Sequence, residues 1–256
     1  EFAPNISTCR SPQQMLGAVI RAWFRVPEHN AGKKVTVVSI MPCTAKKAEI
    51  LRPESYTCGM QDVDISLTTT ELLELLEQAG LTADQCPPDK GDAPFSGGSG
   101  GGTLFGATGG VTEAVLRYLS PKLGFDSPEW IAQSGVRGYD GIKRATVTKD
   151  GLTVRVAVVS GLANADALLR RVKAGEEHFD LIEVMSCPGG CVMGGGQPAD
   201  VYEIYRNRDW RSVGLYKADG ESTMKNSQDN QPMANLWKTI IQGREHELLH
   251  RNFDHK

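Results

Sequence analysis

Two apolar runs in this chain each stop three residues short of a cysteine. Val35–Ile40 leads into Met41-Pro42-Cys43, and Leu181–Val184 leads into Met185-Ser186-Cys187. Runs of this length and β-branched content predict buried strands. Each has helix and strand signals around it. Ile65–Leu67 reads as a strand, after which Thr68 and Glu71 form a capping box for a Leu-rich helix that Gly80 ends. Thr153–Val159 reads as a strand and Leu162–Val172 as a helix, ahead of the strand that delivers Cys187. Upstream, Ser11-Pro12 caps a helix whose apolar face is Met15, Leu16, Val19, Ile20, Trp23 and Phe24. The predicted class is therefore α/β, with two lobes built on small mixed sheets. Open α/β sheets bind ligands beyond the C-terminal ends of their strands, so both cysteines sit where a shared, buried site is expected.

Between the lobes lies a glycine tract, Ser96–Gly102, followed by Phe105-Gly106-Ala107-Thr108-Gly109-Gly110 and an apolar helix to Leu119. A flexible linker would carry no Leu104 or Phe105. The tract reads as an ordered loop whose backbone passes close to something. After Pro198 the composition turns polar and predicts short helices, giving a division into residues 1–198 and a helical tail, 199–256.

The charge balance is near neutral, 28 Lys and Arg against 31 Asp and Glu, which leaves no basic footprint for nucleic acid. No apolar run reaches the length of a membrane span. Glu1-Phe2-Ala3-Pro4 has no signal-peptide character, and no initiator Met is present. Six cysteines, mostly scattered, argue against a disulfide scaffold and for reduced thiols or metal ligands.

The densest signal is Glu183-Val184-Met185-Ser186-Cys187-Pro188-Gly189-Gly190-Cys191-Val192-Met193-Gly194-Gly195-Gly196-Gln197-Pro198. Two cysteines at a strand-to-helix turn can point at one object. The neighbouring glycines let a bulky inorganic group touch backbone, whose amides then donate to it. Cys43 adds a third strand-end thiol, and Lys46 a cation one helical turn on.

Met41-Pro42-Cys43-Thr44-Ala45-Lys46-Lys47-Ala48-Glu49 and the Glu183–Pro198 segment resemble two signature motifs of the iron-only (FeFe) hydrogenase active-site domain, M-P-C-x-x-K-x-x-E and E-x-M-x-C-x-G-G-C-x-x-G-G-G-Q-P, at every fixed position. The similarity extends through Asn5-Ile6-Ser7, Ser11–Gln14, Asp62-Val63-Asp64, Phe105–Leu116, Val136-Arg137-Gly138 and His246–His250. It implies a 4Fe-4S cluster joined through a cysteine sulfur to a diiron subcluster carrying CO, CN and a bridging azadithiolate, and reversible reduction of protons to H2. By the same resemblance Cys43, Cys187 and Cys191 are metal ligands, with Cys191 the bridge. Lys46 binds a cyanide, Met41 and Met185 pack on the centre, Gln13 and Phe105 line its pocket, and Ser7 belongs to a proton relay. The implied partners are ferredoxin or another low-potential carrier and the maturation proteins. The expected compartment is the cytoplasm, with periplasm and hydrogenosome as alternatives.

The family's first motif, T-S-C-C-P-x-W, should precede Ser7 and has no counterpart here. The sequence is thus expected to be part of a longer protein, and this chain by itself to be inactive. Cys9, Cys58 and Cys86 read as structural or incidental. Two other readings compete. Relatives of the prelamin-A-recognition-factor and cytosolic iron-sulfur assembly type share much of the cysteine pattern without hydrogenase activity. His246-Glu247-Leu248-Leu249-His250 also matches the H-E-x-x-H of zinc proteases, although only six residues follow it. Gly97-Gly98-Ser99-Gly100-Gly101 fits a G-x-S-x-G nucleophile elbow, but no strand leads into it.

Overall fold

A computed structural model of the chain describes residues 2–89, 91–122, 124, 135–149, 151–199 and 203–251. The chain divides into two units, residues 1–89 with 232–256, and residues 90–231.

The first unit begins with α1, Pro12–Phe24, where the Ser11 hydroxyl accepts from the Gln14 amide as N-cap. A single turn, α2 (Pro27–Asn30), precedes β1, Val38–Met41, which hands the chain through Pro42 and Cys43 to α3, Ala45–Glu49. A hairpin of β2 (Tyr56–Thr57) and β3 (Met60–Gln61) turns at Cys58-Gly59, both with positive φ. β4, Ile65–Thr68, then pairs with β1 in parallel, Val38 opposite Ile65. Thr68 closes the full capping box with Glu71 at the start of α4, Thr69–Gln78.

The first strand is shorter and less buried than the sequence predicts. A two-stranded sheet has one packed face. Val37 is buried there with Ile50 and Val63, while Val38 and Ile40 lie on the opposite face, each about half exposed (48% and 49%). Residues 232–251 return to this unit and bury Leu236, Ile241 and Leu248. Cys9 and His250 form an antiparallel bridge there.

The glycine tract opens the second unit as ordered structure. Ser99 caps a helical turn, α5 (Gly100–Thr103), a 3-10 turn covers Leu104–Gly106, and α6 runs from Gly110 to Leu119. Ser99 accepts from the Gly102 amide and bonds Ser227, so the G-x-S-x-G match is a helix cap. The sheet of this unit has the order β5 (Ile142–Lys149), β6 (Leu152–Ser160), β7 (Leu181–Met185). β5 and β6 are antiparallel; β6 and β7 are parallel, joined through α7, Leu162–Lys173.

Both faces of this sheet are covered, which is why β6 carries the unbroken run Val156-Ala157-Val158-Val159. Val156 and Val158 pack with Ala145, Val147 and Leu116 of α6, and Ala157 and Val159 with Ala165 and Leu168 of α7. The eighteen-residue α8, Ile204–Glu221, completes the unit.

Candidate metal centre

In the first unit β1 ends at Met41, leaving Cys43 half-buried in the turn before α3. That turn is held from α1. The Glu49 carboxylate accepts from the Ser11 hydroxyl, from the Gln13 amide at 3.3 Å and from Lys46 Nζ at 2.6 Å. Gln13, only 4% exposed, also donates to the Lys46 carbonyl and accepts from Ser39 and Ser66. The Lys46 ammonium is thus oriented by a carboxylate three residues on, and three donors on one nitrogen mean that this pair does not exhaust it. Ser7 is exposed and accepts from the Cys9 amide.

In the second unit β7 carries Met185 at its end and passes into the turn Cys187–Cys191. Gly189 and Gly190 take φ of 92° and 93°, conformations that favour glycine. The Gly190 amide donates to the Cys187 carbonyl, and those of Met193 and Gly194 to Gly190 and Cys191. A Cβ on Gly190 would lie 2.6 Å from the Thr108 nitrogen and 2.9 Å from the Gly106 oxygen. The peptide between the two cysteines therefore rests directly on the loop that carries Phe105, and the Thr108 amide donates to the Gly189 carbonyl at 3.4 Å.

The structure thus brings Phe105's loop together with Cys187 and Cys191, and Gln13 together with the Met41–Lys46 turn. The two groups belong to different units. Among the described residues of either unit, no three His, Cys, Asp or Glu side chains are grouped to hold a metal ion.

These residues suit an iron-sulfur group. None of the six cysteines is in a disulfide. Cys191 is exposed and Cys187 half-buried, and the glycines between them let the turn pack against the Gly106–Thr108 backbone, where a Cβ would clash. At that contact the Thr108 hydroxyl is buried without a hydrogen-bond partner, the kind of polar group that a bound ligand satisfies.

The H-E-x-x-H stretch has other work. His250 Nδ1 bonds the Thr8 hydroxyl at 2.8 Å, and Glu247 is held by two 2.8 Å bonds from Arg244, which keep its carboxyl below the ordinary range. His246 and Glu247 lie on a five-residue helix, Glu245–Leu249, packed through buried Leu248, while His250 follows it in extended backbone.

Two residues have no role assigned from sequence: Glu183, named there only as the start of the second motif, and Lys143. Glu183 accepts from the Gly109 amide at 2.7 Å, the Thr112 amide at 2.7 Å and the Thr112 hydroxyl at 2.8 Å. Lys143, 7% exposed, donates to the Val136 and Gly138 carbonyls. For Glu183 the signal is its place as the fixed acid that opens the second motif; for Lys143 the sequence carries none.

A sequence profile of the iron only hydrogenase large subunit, C-terminal domain, matches residues 1–195. The periplasmic [Fe] hydrogenase large subunit of Nitratidesulfovibrio vulgaris is 45% identical over 198 residues, 77% of this chain and 47% of that protein. The structure of a variant of [FeFe]-hydrogenase HydA1 from Chlamydomonas reinhardtii superimposes with a TM-score of 0.77 at 33% identity, covering 98% of this chain and 71% of the other. Cytosolic iron-sulfur assembly component 3 of Pongo abelii is more distant, 34% identical over 200 residues, 76% of this chain and 42% of that protein. The chain spans about half the length of the curated relatives it matches. With both cysteine motifs intact and three quarters of its length inside the profile, the chain belongs to the family of C-terminal domains found in the large subunits of iron-only hydrogenases.

Proposed function

We propose that this chain is the active-site portion of an iron-only hydrogenase, catalysing 2H+ + 2e- ⇌ H2. The observation that carries the reading is the Cys187–Cys191 turn, two cysteines around a Gly-Gly peptide laid on the Phe105 loop. Cys43, Cys187 and Cys191 would hold a 4Fe-4S cluster, and Cys191 would also hold a diiron unit bearing CO, CN and azadithiolate. When bound, this group would supply the redox centre at which protons, electrons and H2 interconvert.

The chain's own residues hold and shield the group. Lys46, oriented by Glu49, donates to an anionic cyanide, where a charge-assisted bond is strong. Met41 and Met185 offer soft thioether contacts. Gln13 and Phe105 line the pocket, and Ser7 passes protons toward it. Residues 1–198 hold this set, in line with a profile match that ends at residue 195, and residues 199–256 are a small-subunit-like helical tail. Electrons come from ferredoxin or a similar low-potential carrier, and maturation proteins deliver the diiron unit. Among the described residues no helix is long and apolar enough to cross a membrane.

The test is infrared spectroscopy after anaerobic maturation. Iron-bound CO and CN bands that disappear in Cys191→Ser support the hydrogenase reading. A 4Fe-4S signal without such bands would instead point to the assembly-type relatives.

A further inference from the structure

We propose that Glu183 is a positioning residue for the metal centre: its buried carboxylate clamps the Phe105–Gly110 loop onto the backbone between Cys187 and Cys191, with Lys143 bracing the clamp. The inference rests on the function proposed above, since it assigns a residue to that same centre.

The start of α6 shows why a clamp is needed. Its N-cap, Gly109, has no side chain, so no local group satisfies the first amides of the helix. Glu183 does so from a strand seventy-four residues away. One oxygen takes the Gly109 amide, and the other takes both the amide and the hydroxyl of Thr112. An anion at a helix N-terminus is favourable on charge grounds as well. The residue is 7% exposed and its donors belong to fully buried positions, so water does not substitute for them.

The clamp acts at the cysteine turn because of what lies on either side. Glu183 is on the strand that ends at Met185 and feeds Cys187. Gly109 is the next residue after Thr108, whose amide donates to Gly189 and whose nitrogen a Gly190 Cβ would strike. The loop cannot move outward without releasing Glu183, and it cannot move inward past Gly190. On the far side, a Cβ on Gly109 would meet the Val136 carbonyl at 2.0 Å, and the same carbonyl accepts from Lys143. Lys143 thus fastens the segment against which Gly109 packs. Burial pushes its ammonium down to about 8, with Glu183 and Asp140 opposing that shift. The Glu183 carboxylate thus favours the charged form of Lys143 from across the loop.

The test compares wild type, Glu183→Gln and Lys143→Met in the full chain. Gln keeps the shape but turns an amide donor toward a backbone N–H. Amide exchange at Gly109 and Thr112 should quicken roughly 10- to 100-fold in Glu183→Gln, the scale of a lost charge-assisted bond. Far-UV circular dichroism should be unchanged. After anaerobic 4Fe-4S reconstitution, the variant should show a shifted midpoint potential and altered paramagnetic resonance, with iron content retained. Lys143→Met, which frees the Val136 carbonyl but leaves the Glu183 bonds in place, should quicken exchange at Gly109 by a smaller factor. If Glu183→Gln does not fold, Thr112→Val removes the hydroxyl bond alone and should give the smaller form of the same shift. Faster exchange with an unchanged potential and resonance would reduce Glu183 to a helix cap and overturn the proposal. A wild-type chain that takes up no cluster would overturn both this proposal and the function it rests on.

Discussion

A lysine folded into the inward row of a strand must shed its charge or find carbonyls, and Lys143 does part of each. Its pKa near 8, set by burial, lies below the ordinary lysine value of about 10.4. Between these two values the unfolded chain binds a proton that the folded chain has released. Stability from this group therefore rises with pH across that window, and below it the charged form is buried at full cost. Lys143→Met removes the dependence. The stability of the variant relative to wild type should be greatest below pH 8 and decline by on the order of 1–3 kcal/mol by pH 10, read from urea unfolding at both pH values. Glycine gives a second prediction at this scale. Gly175 and Gly190 both have positive φ, 74° and 93°, but a Cβ meets nothing within 4 Å at Gly175 and the Thr108 nitrogen at Gly190. Gly175→Ala should cost about 1 kcal/mol of backbone strain. Gly190→Ala should cost clearly more, because backbone must also move. Equal unfolding midpoints for the two variants would mean that the Gly190 contact is loose.

At the scale of elements, α8 is joined to α6 by charge more than by an apolar face. Trp210 and Val213 of α8 are exposed, 63% and 60%, whereas Asp219 is buried. Asp219 takes two bonds from Arg117, at 2.7 and 2.8 Å, and Arg117 also holds Glu113 at 2.5 Å. Arg137 binds Glu113 through two 2.8 Å bonds and reaches Asp219 at 3.4 Å. Burial raises the Asp219 pKa, but the Arg117 bonds and the charges of Arg117, Lys225 and Arg137 outweigh it and hold the carboxyl below its ordinary value. The stability it confers is present above the unfolded value of about 3.9 and is lost as pH falls through the lower folded one. Removing one member of a buried network leaves the others uncompensated, so Asp219→Ala should cost about 3–5 kcal/mol in urea unfolding. This network was not legible in the sequence, because a charged residue on a helix usually reads as a solvated face. β5 was missed for a related reason. Its inward row is Lys143, Ala145, Val147, and a lysine in first place breaks the apolar alternation that announces a strand. Where the pattern is apolar or carries a local cap, as in β6 and the Thr68–Glu71 box, sequence and structure agree to within a residue or two. The first strand is shorter than its β-branched run, because β-branched content signals a strand but not how many of its faces are covered.

For the whole molecule, the sequence made the candidate ligands legible because motif spacing is local. It could not make the glycine contacts legible, because Gly190 against Thr108 and Glu183 against Gly109 join residues more than seventy positions apart. The cysteines themselves are divided, Cys43 in the first unit and Cys187 and Cys191 in the second. If one cluster takes thiolates from both units, its binding free energy must appear in both. A ligand at a thousand times its Kd stabilises the binding state by about 4.1 kcal/mol, which slows exchange through the linked openings roughly a thousandfold. Amides around Met41–Lys46 and around Ser186–Gly196 should therefore gain protection together when the 4Fe-4S cluster is reconstituted anaerobically. In Cys43→Ala the gain around Met41–Lys46 should vanish while part of that around Ser186–Gly196 persists, because two thiolates remain there. In Cys187→Ala with Cys191→Ala both gains should disappear. Hydrogen exchange read by mass spectrometry separates the units directly. Undiminished protection around Met41–Lys46 in Cys43→Ala would show that this cysteine is not a ligand, and that the strand-end symmetry of the two motifs has another cause.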